Sequence, residues 1–401
     1  MINLRGEGQL AAIADVRAKG STLSLIALMF AFTVGVISSA ARPLWIGSVQ
    51  ELHGLSLSEG ALVGALDLGC TAIAAIVTGL FARTRTRPSN VMLACGLNAL
   101  GNIGCAFVSG LLPLAMLRIV CGLSAGYALP LATRAAALQP NPGKAFALQQ
   151  FGLVIIVVGY FLGVSWLLNM LGSAVSFYLL ALVSALAAIM AMFWPAPARA
   201  VEETEQDHGK VAVVPGRWSR SMIIFLAILL MYSAESMVFS NLQAVAKFFN
   251  VSIATLSTVL AFQSAFNVLA PMASARLAGK MLRLPLLAGS GALAFFLLIV
   301  CLTDRLGFIF GTIFLNWVLL FTLPFILSLL VVRDHTGRTA SVGPAFTLLG
   351  AALGAFLGGV ALQYFGLVVL GITASLSALF SLIILWPLAQ GSWRLAINGP
   401  P

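Results

Sequence analysis

The lysine and arginine residues of this chain fall almost entirely in every second gap between long apolar runs. An apolar run of roughly twenty residues is long enough to cross a bilayer as an α-helix, and gaps that collect positive charge face the cytoplasm. Only 8% of the residues are charged and 60% are hydrophobic, whereas soluble globular proteins carry about 25% charged residues. The pattern therefore predicts an integral membrane protein.

Twelve apolar runs are long enough to span a membrane, which predicts an all-α membrane protein with twelve transmembrane helices. Transmembrane strands give alternating segments of about ten residues, unlike these continuous runs. The predicted spans cover residues 22–41, 59–82, 90–110, 112–136, 143–167, 173–194, 220–243, 253–279, 283–303, 307–332, 340–364 and 366–389.

The distribution of basic residues predicts the orientation of these spans. Of the 22 lysines and arginines, eighteen lie in the two terminal tails and in alternate gaps. The other gaps hold only Arg42, Lys247 and Arg305, and Arg118 lies within an apolar run. We therefore expect an even number of spans and both termini in the cytoplasm, in a cell membrane that we take to be a bacterial inner membrane.

A polar segment divides the chain into two similar halves. Residues 195–219, rich in proline and acidic side chains, are predicted to be a cytoplasmic linker between a six-helix half at 1–194 and another at 220–401. The sequence Leu-Ser-Leu-Ser at 55–58, before the second run, resembles Val-Ser-Ile-Ala at 251–254, before the eighth. A parallel repeat of two six-helix halves is typical of one transporter architecture.

Three charged side chains lie inside apolar runs: Asp67, Arg118 and Glu235. Charge in the hydrocarbon core is costly, so such residues are commonly functional. Asp67 and Arg118 lie at similar depth and are expected to pair, either as a structural brace or as a proton-coupling pair. Glu235 has no obvious basic partner at its depth and is therefore a candidate for being protonated at neutral pH.

The residues around Arg118 follow the spacing Leu114-x-x-x-Arg118-x-x-Cys121-Gly122-x-Ser124-Ala125-Gly126. This spacing resembles the fourth-helix motif of major facilitator superfamily transporters, especially the drug:proton antiporters. The arginine of that motif is implicated in proton coupling, and the resemblance implies the same role for Arg118. Small residues such as Gly122 and Gly126 let a neighbouring helix approach closely.

The gap after the second run, Gly79-Leu-Phe-Ala-Arg83-Thr-Arg85-Thr-Arg87, resembles the loop motif of the same superfamily. The leading glycine and the basic character match, while Arg83 stands where the motif has an aspartate. The resemblance implies that Gly79, Arg83 and Arg87 take part in the conformational change of the transport cycle.

The resemblance also predicts which residues contact a substrate. In the superfamily, the cavity walls come largely from the first, fourth, seventh and tenth helices, with help from the second, fifth, eighth and eleventh. Such cavities are mostly apolar with a few polar groups. The candidates on these helices are Tyr127, Tyr232, Gln263, Asn267, Asn316 and Trp317.

The favoured function is proton-coupled export of a small amphipathic organic molecule by alternating access. Uptake of a small organic anion is one alternative, and a non-transporting membrane receptor is another.

We find no convergent nucleophile and base, no nucleotide-binding loop and no paired Cys/His cluster, so we expect no enzymatic activity, cofactor or metal. The expected partners are the substrate, protons and the lipid bilayer, with the chain acting as a monomer. Nucleic acid is not expected, because the basic residues are scattered over short loops.

Overall fold

The computed structural model describes residues 4–81, 87–139, 141–195, 218–277, 283–333 and 338–398. Every regular element in these ranges is helical, as the all-α prediction requires. In the first half the helices are α1 Leu4–Ala40, α2 Arg42–His53, α3 Leu57–Phe81, α4 Pro88–Cys105, α5 Leu111–Ala137, α6 Pro142–Leu171 and α7 Val175–Met190. In the second half they are α8 Trp218–Phe239, α9 Leu242–Phe248, α10 Ile253–Phe266, α11 Leu269–Leu277, α12 Arg283–Leu302 and α13 Arg305–Arg333.

The last helical stretch, Arg338–Asn398, is interrupted at Gly366, where φ is 82°. Glycine adopts positive φ without a steric penalty, so the chain reverses there. The stretch therefore comprises two helices, α14 at 338–365 and α15 at 367–398. The break falls on the first residue of the predicted span 366–389, one residue after the gap that separates it from the span 340–364.

The described residues contain nine stretches that are long and apolar enough to cross a membrane. Two of them, Pro142–Phe193 and Gly343–Pro387, are 52 and 45 residues long and hold two crossings each. Helix α4 supplies the remaining crossing, and its three asparagines lower its hydropathy. Each of the twelve predicted spans therefore corresponds to a helical crossing.

The first crossing is longer than the sequence predicted, because α2 continues α1 beyond a kink at Ala41. Pro43 has no backbone N–H and cannot donate to the carbonyl of Ser39 four residues earlier, so the regular helix is interrupted there. Helix α9 likewise follows α8 after a two-residue interruption at Ser240 and Asn241, although no proline lies there, and backbone hydrogen bonds run through Asn241. The corresponding crossings of the two halves thus each continue in a second, shorter helix.

The two halves, α1–α7 and α8–α15, meet where α3 packs on α14, α6 on α10 and α2 on α9. Polar contacts between the described residues of the halves concentrate toward one end of the bundle, where Lys247 Nζ lies 2.8 Å from Glu51 Oε1. We call this end the Glu51 face and the opposite end the Arg87 face. At the Glu51 face the Ser58 N–H also donates to Gln363 Oε1, at 2.7 Å. The predicted linker at 195–219 lies almost entirely outside the described residues.

Candidate functional site

Asp67 of α3 and Arg118 of α5 form an ion pair inside the N-terminal half. Arg118 Nη1 lies 3.8 Å from Asp67 Oδ1, and both side chains are 1% exposed. Helices α3 and α5 approach closely because Gly122 and Gly126 face α3. A Cβ atom at these glycines would overlap the main-chain carbonyl oxygens of Asp67 and Thr71, respectively. The contact expected from the similar depth of the two charges is present, and the glycines allow it.

The guanidinium of Arg118 is also held by α4 and by two aromatic rings. Nη2 donates to Asn102 Oδ1 at 2.8 Å, and Nε and Nη2 lie 3.2 and 3.1 Å from Cys105 Sγ. Cζ lies 4.8 Å from the centre of the Trp45 ring and 5.3 Å from that of Phe177. These distances are within the range of cation–π attraction. Arg118 is thus a fixed, enclosed cation with partners from several helices.

Two asparagines of α4 support this arrangement and were missed by the sequence analysis. Asn102 Nδ2 donates to Asn98 Oδ1 at 2.8 Å, which orients Asn102 toward Arg118. Asn98 Nδ2 in turn donates to the carbonyl of Cys121 at 2.8 Å, and Ser184 Oγ donates to Asn98 Oδ1 at 2.8 Å. Two asparagines four residues apart on one face of an apolar helix were the available signal.

Glu235 of α8 is paired with Arg42, which corrects two expectations. Arg42 Nη2 lies 3.3 Å from Oε2 and 3.4 Å from Oε1 of Glu235. Nη1 donates to Ser236 Oγ at 2.5 Å and to Ser240 Oγ at 3.3 Å, and Cζ lies 5.2 Å from the Phe239 ring centre. The expectation that Glu235 has no basic partner is wrong. So is the placement of Arg42 in a loop, because the kinked first crossing carries it into the interface, where it is 4% exposed.

Two adjacent serines at the end of α1 connect the two ion pairs. Ser38 Oγ donates to Asp67 Oδ2 at 2.5 Å. The carbonyl of Ser39 accepts from Arg42 Nε at 2.7 Å. This carbonyl is available because Pro43 provides no N–H for it. Two adjacent residues therefore join the Asp67–Arg118 pair of one half to the Arg42–Glu235 pair between the halves.

Three of the expected substrate contacts lie together between α10, α11 and α13. Gln263 is buried, and its Nε2 donates to the carbonyl of Thr312. Asn267, one turn further along, is buried with no hydrogen-bond partner for its Oδ1 among the described residues. The buried Nε1 of Trp317 likewise lacks a described partner, and the Trp317 ring centre lies 6.1 Å from that of Phe266.

The other three expected substrate contacts are spread over different parts of the molecule. Asn316 is half-buried on α13, next to Trp317 in the sequence. Tyr232 is half-buried on α8, one turn before Glu235. Tyr127 lies on α5, packed against a separate apolar cluster of the N-terminal half. The six residues therefore do not form one continuous group.

The residues of the predicted loop motif lie at the Arg87 face. Gly79, near the end of α3, faces Pro130 of α5, at the edge of van der Waals contact for an added Cβ. Arg87 directly precedes α4 and is exposed. Arg83 lies outside the described residues.

Within the ranges that the structure describes, no group of three or more His, Cys, Asp or Glu side chains is placed to hold a metal ion. The five cysteines are free thiols.

The comparisons with known proteins agree with this architecture. A family model described as Major Facilitator Superfamily matches residues 23–342. The inward-open xylose transporter XylE from E. coli superimposes with a TM-score of 0.67 at 18% identity, covering 92% of this chain and 95% of that chain. The peptide transporter POT, in complex with sulfate, gives 0.69 at 14% identity, covering 91% and 95%.

A bacterial homolog of the human lysosomal transporter Spinster, in an inward-facing and occupied conformation, gives a TM-score of 0.65 at 14% identity, covering 93% and 96%. Identities this low show a shared fold and leave the substrate open. A search of curated proteins found no sequence match.

Proposed function

The chain belongs to the major facilitator superfamily and is therefore a multi-pass membrane transporter of the alternating-access type rather than an enzyme, and from this premise we propose that protons drive its transport. Asp67 is the proposed proton carrier and Arg118 its counterion. The observation that carries the proposal is their 3.8 Å contact at 1% exposure. Desolvation opposes the charged carboxylate and Arg118 favours it, so a small movement of the pair changes whether Asp67 holds a proton.

Glu235 enters the proposal through Arg42 rather than as an unpaired proton carrier. Its two oxygens lie 3.3 and 3.4 Å from Arg42 Nη2, and this contact bridges the two halves. Alternating access requires the halves to separate at one face while they close at the other. Glu235 is therefore proposed to participate when this bridge opens and closes.

Export remains the favoured direction of transport, and a small amphipathic organic molecule remains the favoured substrate. The resemblance of the Arg118 motif to drug:proton antiporters supports it. Asn267 Oδ1 and Trp317 Nε1 support it as well, because they are unpartnered polar atoms beside aromatic rings and suit a ligand with apolar and hydrogen-bonding parts. Uptake of an organic anion is disfavoured because Arg118 is already enclosed by Asn102 and aromatic side chains.

The orientation is proposed from the positive-inside rule: the Arg87 face lies in the cytoplasm, together with both termini, and the membrane is a bacterial inner membrane. In this orientation the polar contacts between the halves close the external side. Gly79, Arg83 and Arg87 would then contribute to closure of the cytoplasmic side at another stage of the cycle. We expect the chain to work as a monomer.

Proton coupling is tested with the full-length protein in proteoliposomes whose interior is acidic. Ethidium serves as the amphipathic probe, benzoate as the organic anion, and an enclosed pH-sensitive dye reports proton efflux. We expect ethidium to accumulate as protons leave, with no benzoate accumulation when the gradient is reversed. Asp67→Asn should abolish proton-driven accumulation.

The matched control is Glu59→Gln, which changes a carboxylate of the same helix that bonds Ser56 at the Glu51 face. It should transport as the unmodified chain does. Proton-driven accumulation that persists in Asp67→Asn would remove Asp67 from the mechanism. Benzoate accumulation in place of ethidium accumulation would favour the uptake alternative.

A further inference from the structure

We propose that Arg42 transmits protonation of Asp67 to the interface between the halves, acting through the adjacent residues Ser38 and Ser39 in the last turn of α1. This inference rests on the proposed function, in which Asp67 carries the proton. Arg42 is then a positioning residue, because it contacts neither the proton carrier nor Arg118 in this network and acts through Ser39.

Arg42 is placed to hold the two halves together. It belongs to the N-terminal half, at the start of α2, and its guanidinium reaches Glu235 and Ser236 of α8. At 4% exposure, the cation has no bulk water to replace a lost partner. A small displacement of Arg42 therefore has a large effect on whether this interface stays closed.

The same guanidinium is fixed from its own half by a single carbonyl. Arg42 Nε donates to the oxygen of Ser39 at 2.7 Å, the oxygen that Pro43 leaves without a backbone donor. The preceding residue, Ser38, donates through Oγ to Asp67 Oδ2. The proton carrier and the interface cation are thus bound to neighbouring residues in the last turn of α1, directly before the helix is interrupted at Ala41.

Protonation changes this connection in a defined order. A hydronium ion gives up a proton, which forms an O–H bond on the Asp67 carboxylate and leaves a water molecule, and no protein bond breaks. The neutral carboxyl accepts a weaker hydrogen bond from Ser38 and attracts Arg118 less. The last turn of α1, which carries Ser38 and Ser39, is then free to shift, and this shift moves the Ser39 oxygen away from Arg42 Nε. Because a buried guanidinium with an unpaired N–H is unfavourable, Arg42 leaves the interface and the Glu51 face opens.

Few ionisable groups other than Asp67 surround this network. The described groups that interact with Asp67 are Arg118, Cys70, Cys105 and Cys121. Those that interact with Arg42 are Glu235 and Tyr232. Helix α14, which packs on the other side of α3, has no charged residue between positions 343 and 365.

Spin labels on the two halves test the proposal in the full-length protein in lipid nanodiscs. Leu52 of α2 and Phe248 of α9 are 39% and 57% exposed near the Glu51 face and are suitable label sites. Asp67→Asn mimics the protonated carboxyl at constant pH, so the titration of other groups does not interfere. We expect the distance between the labels to lengthen in Asp67→Asn relative to the unmodified chain.

Two variants then remove the connection while both carboxylates remain. Ser38→Ala deletes the hydrogen bond to Asp67. Arg42→Lys keeps a cation for Glu235 but lacks the guanidinium fork that bonds Ser39 and the α8 side chains together. In Ser38→Ala we expect the longer distance to be present already, because the hydrogen bond that protonation would weaken is absent. In Arg42→Lys we expect the halves to stay closed. In both backgrounds the shift caused by Asp67→Asn should be lost.

The matched control is Ser48→Ala, which removes a buried α2 hydroxyl bonded to Ser176 Oγ at 2.8 Å but outside the network. It should keep the full shift. If the network is only a static brace, Asp67→Asn should change the label distance in the Arg42→Lys and Ser38→Ala backgrounds as much as it does in the unmodified chain. That result would overturn the proposal.

Transport by the same variants separates this inference from the proposed function. We expect Ser38→Ala to keep downhill ethidium movement and to lose accumulation driven by the proton gradient. If the unmodified chain shows no proton-driven transport at all, the proposed function fails. If it does, and Ser38→Ala accumulates ethidium normally, the role of Arg42 fails while Asp67 remains the proton carrier.

Discussion

Trp45 of α2 covers Arg118 of α5, with the guanidinium carbon 4.8 Å from the ring centre. The same indole donates from Nε1 to the carbonyl of Ser38 at 2.8 Å, and the residue is fully buried. One side chain thus supports Arg118 and also the serine that binds Asp67. Helix α2, which lies beyond the predicted first span, is therefore part of the site.

Substitution of Trp45 separates its two contributions. Trp45→Phe keeps an aromatic ring over Arg118 and loses the indole N–H, so it should cost about 1 kcal/mol of unfolding free energy. Trp45→Ala removes a large buried side chain as well and should cost about 3–5 kcal/mol. Titration with a denaturing detergent measures both values. The control is Trp166→Phe, at a position that is 75% exposed, and a loss as large as that of Trp45→Phe would contradict the assignment.

Paired substitutions of Asp67 and Arg118 distinguish a structural brace from a functional pair. Removal of one partner leaves the other charge buried alone, so Asp67→Leu or Arg118→Met should cost about 3–5 kcal/mol of unfolding free energy. The double variant should recover most of that loss, because apolar side chains replace both charges. We expect transport in proteoliposomes to be absent from all three. A double variant that regains stability and transport would show that the pair is only a brace.

Added methyl groups test the close approach of α3 and α5. Gly122→Ala and Gly126→Ala place a Cβ against the main-chain oxygens of Asp67 and Thr71, so each should cost about 1–3 kcal/mol. Gly159→Ala on α6 is the matched control, because an added Cβ there meets no atom within 4 Å. It should leave stability unchanged or raise it by about 0.5–1 kcal/mol. Equal losses at all three glycines in the same unfolding titration would indicate a general helix effect instead of a close contact.

The twelve crossings could be predicted from the sequence because lipid-facing surface requires long apolar runs, whatever the helices contact inside. The Asp67–Arg118 contact could be predicted because both charges lie well within such runs. Gly366 is the first residue of the predicted span 366–389 and is the point where the last helical stretch breaks. These features are determined by the local sequence and by the surrounding lipid. They depend little on which helices pack against each other.

Arg42 could not be placed correctly, because the apolar run ends at 41 and the residues that follow are mixed in character. Helix α2 is nevertheless buried from Arg42 to Val49, since it packs against protein instead of lipid. The polar partners that Arg42 finds on α8 lie nearly two hundred residues away in sequence, and hydropathy carries no information about such pairing. The asparagines of α4 were overlooked for the same reason.

The Glu51–Lys247 ion pair at the Glu51 face predicts how the free energy of unfolding changes with pH. Burial alone would raise the pKa of Glu51, but the hydrogen bonds from Lys247 and Ser173 outweigh it and hold that pKa below its ordinary value of 4.5. As the pH falls below about 4.5, the unfolded chain binds a proton before the folded chain does, so stability is lost in that window and is fully present above it. The Lys247 side chain is 60% exposed, so the whole effect should be about 1 kcal/mol or less and should shrink at high salt.

Glu51→Gln should therefore reduce the loss of unfolding free energy as the pH falls, which we call the acid limb of the stability curve. Unfolding titrations at pH values on both sides of 4.5 measure this loss. Lys247→Gln should weaken the same limb, because it removes the main cation that lowers the pKa of Glu51. The two substitutions share one interaction, so their effects should not add in the double variant. An acid limb that is unchanged in Glu51→Gln, or losses that add fully, would mean that this contact between the halves does not contribute to closing the Glu51 face.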